Sequence, residues 1–162
     1  MKREYLFLLA GIIMMTLLSL EAEAKDEFLS VGNKCLRSGD YACALLNYQK
    51  EVVQNPSGHA LTNLAWVLAT APEEKYRDGK RALELAQQAV ANAERENTLN
   101  ENLGYLCALA AAYAENGDFV RAVAAMDRVI RQAKANEMRP EIMDIYNEYR
   151  QWFYNETPWR HR

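Results

Sequence analysis

The sequence predicts an all-α chain, an α-solenoid of about three stacked helix hairpins closed by a C-terminal capping helix. Three observations predict it. Glycine (7) and proline (4) are sparse in 162 residues, while alanine and other good helix formers are abundant. Apolar residues recur at helical spacing. One turn occurs twice in matching surroundings, as SGDY at Ser38–Tyr41 and NGDF at Asn116–Phe119. Half of the residues are apolar and a quarter charged, a globular balance that excludes wholesale disorder.

The N-terminus stands apart from the repeats. Met1-Lys2-Arg3 is a short basic start, and Tyr5 to Leu20 is apolar apart from Thr16 and Ser19. Ala22-Glu23-Ala24 follows with the small-x-small pattern of a signal peptidase site, so residues 1–24 read as a secretory signal peptide cut after Ala24. The apolar run falls short of the roughly 20 residues of a spanning helix; an uncleaved anchor is the alternative. The mature chain is then expected in the periplasm or outside the cell. Removing Lys2 and Arg3, with Glu4, Glu21 and Glu23, takes the formal charge from −3 to −2. A near-neutral chain has no electrostatic footprint for nucleic acid, and no basic amphipathic stretch would hold it on a membrane.

The first unit covers about 25–58. A helix runs to Arg37, Ser38-Gly39-Asp40 turns the chain, and a second helix runs from Tyr41 to about Gln54, stopping at Asn55-Pro56. Gly39 supplies the permissive backbone and Asp40 can cap the next helix. The third unit, about 99–138, repeats this plan from Tyr105 to Ala133. The second, about 59–98, is looser: Leu61–Thr70 reads as a helix, Ala71–Asp78 as a long connector, and Gly79 to about Arg95 as a helix that Asp78 can cap. Residues 139–162 form the cap and tail. Pro140 opens a helix whose apolar residues (Ile142, Ile145, Tyr146, Tyr149, Trp152, Phe153) recur every three or four positions. Asn155–Arg162 reads as irregular, with Trp159 either docked on the last repeat or exposed.

Ala44, Ala82 and Ala122 mark the same point in the three units, 38 and 40 residues apart. Two helices approach closely only where side chains are small. Gly32, Ala65 and Ala110 on the first helices are expected opposite these alanines, with Tyr113 and other large residues filling the flanks. One hairpin cannot bury its apolar faces alone, so the units must stack.

Three cysteines lie in the mature part. Cys35 and Cys43 are eight apart, and an oxidising compartment would permit a bridge between them; alternatively all three, Cys107 included, are small buried helix residues. Their spacing fits no zinc pattern, so neither metal nor cofactor is expected. Catalysis has little to stand on. His59 and His161 are the only histidines, neither beside a nucleophile motif. Glu73-Glu74 reads as a solvated connector, and no glycine loop cradles a phosphate.

The chain resembles the tetratricopeptide repeat family. The resemblance rests on Phe28, Val31-Gly32, Cys35, Ala44, Tyr48 and Pro56 in unit one, Leu64-Ala65, Leu68, Ala82 and Ala89 in unit two, and Leu106, Leu109-Ala110, Tyr113, Ala122 and Met126 in unit three. Cys35 stands where an aromatic is usual, and Glu51 where alanine is usual. The stretch LAWVLAT, KYRDGKRALELAQQA and GYLCALAAAYAENGDFVRAV is similar to exported bacterial members, which often end in a Pro-aromatic-Arg tail like Pro158-Trp159-Arg160. The resemblance implies a superhelix whose concave face is lined by the first helix of each unit. Positions that point into that groove would be Leu29, Asn33, Leu36, Arg37, Thr62, Asn63, Trp66, Thr70, Cys107, Ala111 and Glu115. Trp66 could equally pack between units. Asn33 and Asn63 match the two asparagines of a carboxylate clamp, but Leu29, Gly104 and Ala108 stand where its cations would be. The implied role is a non-enzymatic scaffold that holds a protein or peptide ligand; self-association into a structural assembly, or a secreted effector, is the alternative.

Overall fold

The computed structural model describes residues 27–161, so the expected signal peptide and its cleavage site lie outside the described residues. The described residues contain seven α-helices and no strand. They are α1 (Glu27–Arg37), α2 (Tyr41–Gln54), α3 (Gly58–Thr70), α4 (Gly79–Arg95), α5 (Gly104–Glu115), α6 (Phe119–Ala135) and α7 (Pro140–Tyr154), with a 3₁₀ turn at Glu74–Tyr76. The chain is all-α, as the sequence predicts.

One device builds each hairpin. Asp40, Asp78 and Asp118 cap the second helices, each side chain accepting from the backbone N–H three residues on, at Cys43, Arg81 and Arg121 (2.9–3.0 Å). Each of these aspartates also donates its own N–H back to the first helix, to the carbonyls of Cys35, Leu68 and Tyr113 (2.9, 3.0 and 2.9 Å). Those three carbonyls occupy the same place, two residues before the last residue of α1, α3 and α5. In the outer hairpins Gly39 and Gly117 make the intervening turn at φ +76°, each donating to the next carbonyl along (Leu36 and Ala114). These are Schellman ends. The longer connector of the middle hairpin leaves and returns between the same two points, so its five extra residues do not disturb the pairing.

The packing follows the small residues. Ala44, Ala82 and Ala122 are wholly buried, as are Ala65 and Ala110. Gly32 has a more specific reason to lack a side chain: a Cβ there would lie 2.5 Å from Cε1 of the buried Tyr48. Beyond the hairpins, α2 packs on α3, α3 and α4 on α5, and α6 on α7, so the three hairpins lie in sequence with α7 at the end.

Two details differ from the sequence reading. α3 starts at Gly58 rather than Leu61, because Ser57 caps it by accepting from Ala60 N–H (3.2 Å). On α7, Phe153 is buried but Ile145 is 42 % exposed, since among the described residues α7 packs chiefly on α6. Cys35 and Cys43 form a disulfide across the first turn (Cα–Cα 5.7 Å), and Cys107 is a buried free thiol.

Candidate functional site

The end of α3 sets up the site. A helix leaves its last carbonyls without intrahelical partners. In α1 and α5 the glycine turn serves the carbonyl of the penultimate helical residue, Leu36 or Ala114. In α3 the connector departs without a glycine: Ala71 has φ −54° and ψ 136°, and its N–H serves the Val67 carbonyl, not that of Ala69 or Thr70.

The C-terminal tail takes both. Arg160 donates from Nη1 to the Ala69 carbonyl (3.3 Å), and the His161 N–H donates to the Thr70 carbonyl (2.8 Å). The second guanidinium nitrogen, Nη2, lies 2.7 Å from Glu115 Oε2 at the end of α5, an ion pair rather than an aligned hydrogen bond. Glu115 Oε1 accepts from Arg77 Nε (2.9 Å), and Arg77 Nη1 also serves the Ala71 and Pro72 carbonyls. Glu115, its side chain 14 % exposed, thus sits between two guanidinium groups, one from the connector and one from the tail.

Aromatic rings complete the arrangement. Trp159 lies against Trp66 of α3 and Tyr149 of α7, with ring centroids 5.3 and 5.0 Å apart. The His161 ring meets Trp159 and Tyr41 edge-on, both at 5.8 Å, and its Nδ1 is 2.9 Å from the Tyr41 hydroxyl. Burial raises the pKa of Tyr41, and raises that of Tyr149 with a smaller push from Cys107. Burial pushes the Cys107 thiol up to about 12, so it is a poor nucleophile at neutral pH.

The groove residues expected from the sequence fall into groups. Trp66, Thr70 and Glu115 come together around the tail. Thr70 itself is buried, its hydroxyl donating to the Trp66 carbonyl. Asn33 and Asn63 are engaged with each other: Asn33 Oδ1 accepts from Asn63 Nδ2 (3.3 Å) and from the Tyr48 hydroxyl (2.7 Å), tying α1 to α3. Leu29 and Leu36 are half-buried against the core, Arg37 is exposed, and the Thr62 hydroxyl donates to the Gly58 carbonyl. Cys107 and Ala111 are buried. His59 approaches Asn102 (3.1 Å) and the Tyr105 ring, with no nucleophile among these contacts.

The residues that sequence reasoning missed are Tyr41, Arg77, Tyr149, Arg160 and His161. The signal was present as an aromatic and basic ending, PWRHR, on a polar linker. Its docking place was not legible, since Trp159 reaches across to the second unit instead of resting on the last repeat alone. The fold and site thus define an all-helical chain of three like hairpins and a capping helix, with a peptide-like tail laid against its first helices. No family model, curated protein or solved structure matches it significantly.

Proposed function

We propose that this chain is a non-enzymatic interaction module of the tetratricopeptide type, an α-solenoid that holds an extended segment of a partner protein against the first helices of its units. The observation that carries the reading is the seating of Trp159–His161 on Trp66, the α3 carbonyls and Glu115, because it pairs a repeated hairpin scaffold with a surface already fitted to peptide chemistry. Tryptophan, tyrosine and arginine side chains are the groups that most often dominate interface energetics. The signal-like N-terminus supports a partner in the periplasm or outside the cell, within an envelope or export assembly. The Cys35–Cys43 disulfide is compatible with such a compartment.

Affinity capture with the mature protein from an envelope extract tests this. A partner should be recovered, and its recovery should fall at least tenfold with Trp66→Ala. Recovery unaffected by Trp66→Ala would place binding elsewhere and defeat the reading.

A further inference from the structure

The contacts of the tail have the character of a ligand. Each is made by residues 159–161, and none depends on the covalent link to α7. The link itself is the exposed pair Asn155 and Glu156 followed by Thr157 and Pro158, which turns away through a Schellman end (Glu156 N–H to the Phe153 carbonyl, Thr157 N–H to the Trp152 carbonyl). Trp159, Arg160 and His161 remain half-buried, unlike the closed alanine seams.

The receiving surface exists because of a departure from the repeat. Where α1 and α5 end in a glycine turn that serves the penultimate carbonyl, α3 gives that carbonyl, of Ala69, to Arg160 and the last, of Thr70, to the His161 N–H. The negative end of the helix dipole adds to Glu115 in favouring a cation there. A planar guanidinium can address a carboxylate oxygen and a carbonyl together, which an ammonium does less well. Next to it, Trp66 and Tyr149 lie 6.0 Å apart and together form an aromatic surface against which a large ring packs.

Resting on the peptide-holding role above, we propose that this surface is a receptor for a partner segment carrying an aromatic residue followed by arginine, and that Trp159–His161 is its cis occupant. The tail thereby sets a threshold. A short tether holds it at an effective concentration on the order of millimolar, so a partner must outcompete it, and the apparent affinity falls by the fraction of time the site is open.

The test uses the full chain with the tail emptied, Trp159→Ala/Arg160→Ala, and the synthetic peptide Thr-Pro-Trp-Arg-His-Arg, titrated by calorimetry. The emptied chain, checked for unchanged helicity, should bind the peptide at least about tenfold more tightly than the wild type, which the tail blocks. A peptide with alanine for tryptophan should bind neither chain. Adding Glu115→Gln to the emptied chain should weaken the peptide at least fivefold. An emptied, helical chain that does not bind the peptide, or binds it no better than the wild type, overturns the proposal, while capture of a partner through Trp66 would still stand or fall separately. Light scattering separates the remaining occupant: a concentrated wild-type dimer that the peptide dissolves would make the trans occupant a second copy of this chain and would overturn assignment to a partner.

Discussion

Gly32→Ala is the sharpest test of the packing. A Cβ at Gly32 would lie 2.5 Å from Tyr48 Cε1 and 2.7 Å from Cδ1, against the roughly 3.5–4.0 Å at which carbon atoms attract. The ring would have to retreat by about 1 Å. It has nowhere to go, being fully buried and held through its hydroxyl by Asn33. Overpacking of this kind costs about 1–3 kcal/mol. The gain in helix propensity from glycine to alanine returns about 1 kcal/mol. A contact of 2.5 Å belongs in the upper part of the overpacking range, about 2–3 kcal/mol, so the net loss is about 1–2 kcal/mol, a fall in Tm of about 2–8 °C for a chain of this length. Circular dichroism melts give the size of the effect. Because repeat arrays can open unit by unit, hydrogen exchange should show it concentrated in α1 and α2. Tyr48→Val, though destabilising alone, should relieve part of the cost in the double variant, a coupling that a double-mutant cycle measures. A Gly32→Ala chain as stable as the wild type, or more so, would refute the close approach of α1 and α2.

Other consequences are accessible to the same methods. Glu137 sits at φ 51° in the position where Gly39 and Gly117 make their turns, so Glu137→Gly should raise stability by about 0.5–1 kcal/mol in urea unfolding. Cys35→Ser/Cys43→Ser removes a bridge spanning eight residues and should lower stability by about 2.5 kcal/mol on the loop-entropy relation; equal unfolding midpoints with and without it would contradict this. Cys107 should resist a thiol reagent at pH 8 in the folded chain and react fully in urea. Stability should fall as pH rises from about 9 to 12. The raised pKa values of Cys107 and Tyr48, about 12 against ordinary values of 9.0 and 10.0, mean that the unfolded chain gives up these protons first. Below about pH 8 both groups are essentially neutral in either state and their contribution is complete. Cys107→Ala should make the alkaline fall start nearer pH 10.

Much of the fold was legible because it is local. The Gly-Asp turns at Gly39-Asp40 and Gly117-Asp118 announce both a helix end and the next cap, and Asp78 can be placed by the same rule. Ala44, Ala82 and Ala122 disclose the seams because small side chains at a fixed distance after a cap have few other uses. The start of α3 was missed because Ser57-Gly58, after a proline, reads as loop until the Ser57 cap is seen. The site was less legible. Trp66 and Glu115 could be named from their places on the first helices, but the tail that covers them depends on two open carbonyls at the end of α3. Those are a consequence of connector geometry that residue types do not spell out. Asn33 and Asn63, which look like ligand donors in sequence, sit at a joint between the first two hairpins, where their amides meet each other.

The claim on which the functional account turns is that Trp159 lies in the array, against Trp66 and Tyr149. Nuclear Overhauser spectroscopy of the chain addresses it directly, with the three indoles assigned by substitution. Cross-peaks from the Trp159 indole to the rings of Trp66 and Tyr149 are predicted, at centroid separations of 5.3 and 5.0 Å, and Arg160→Ala should weaken them. A Trp159 indole with solvent-like shifts and no contact to either ring would contradict the account.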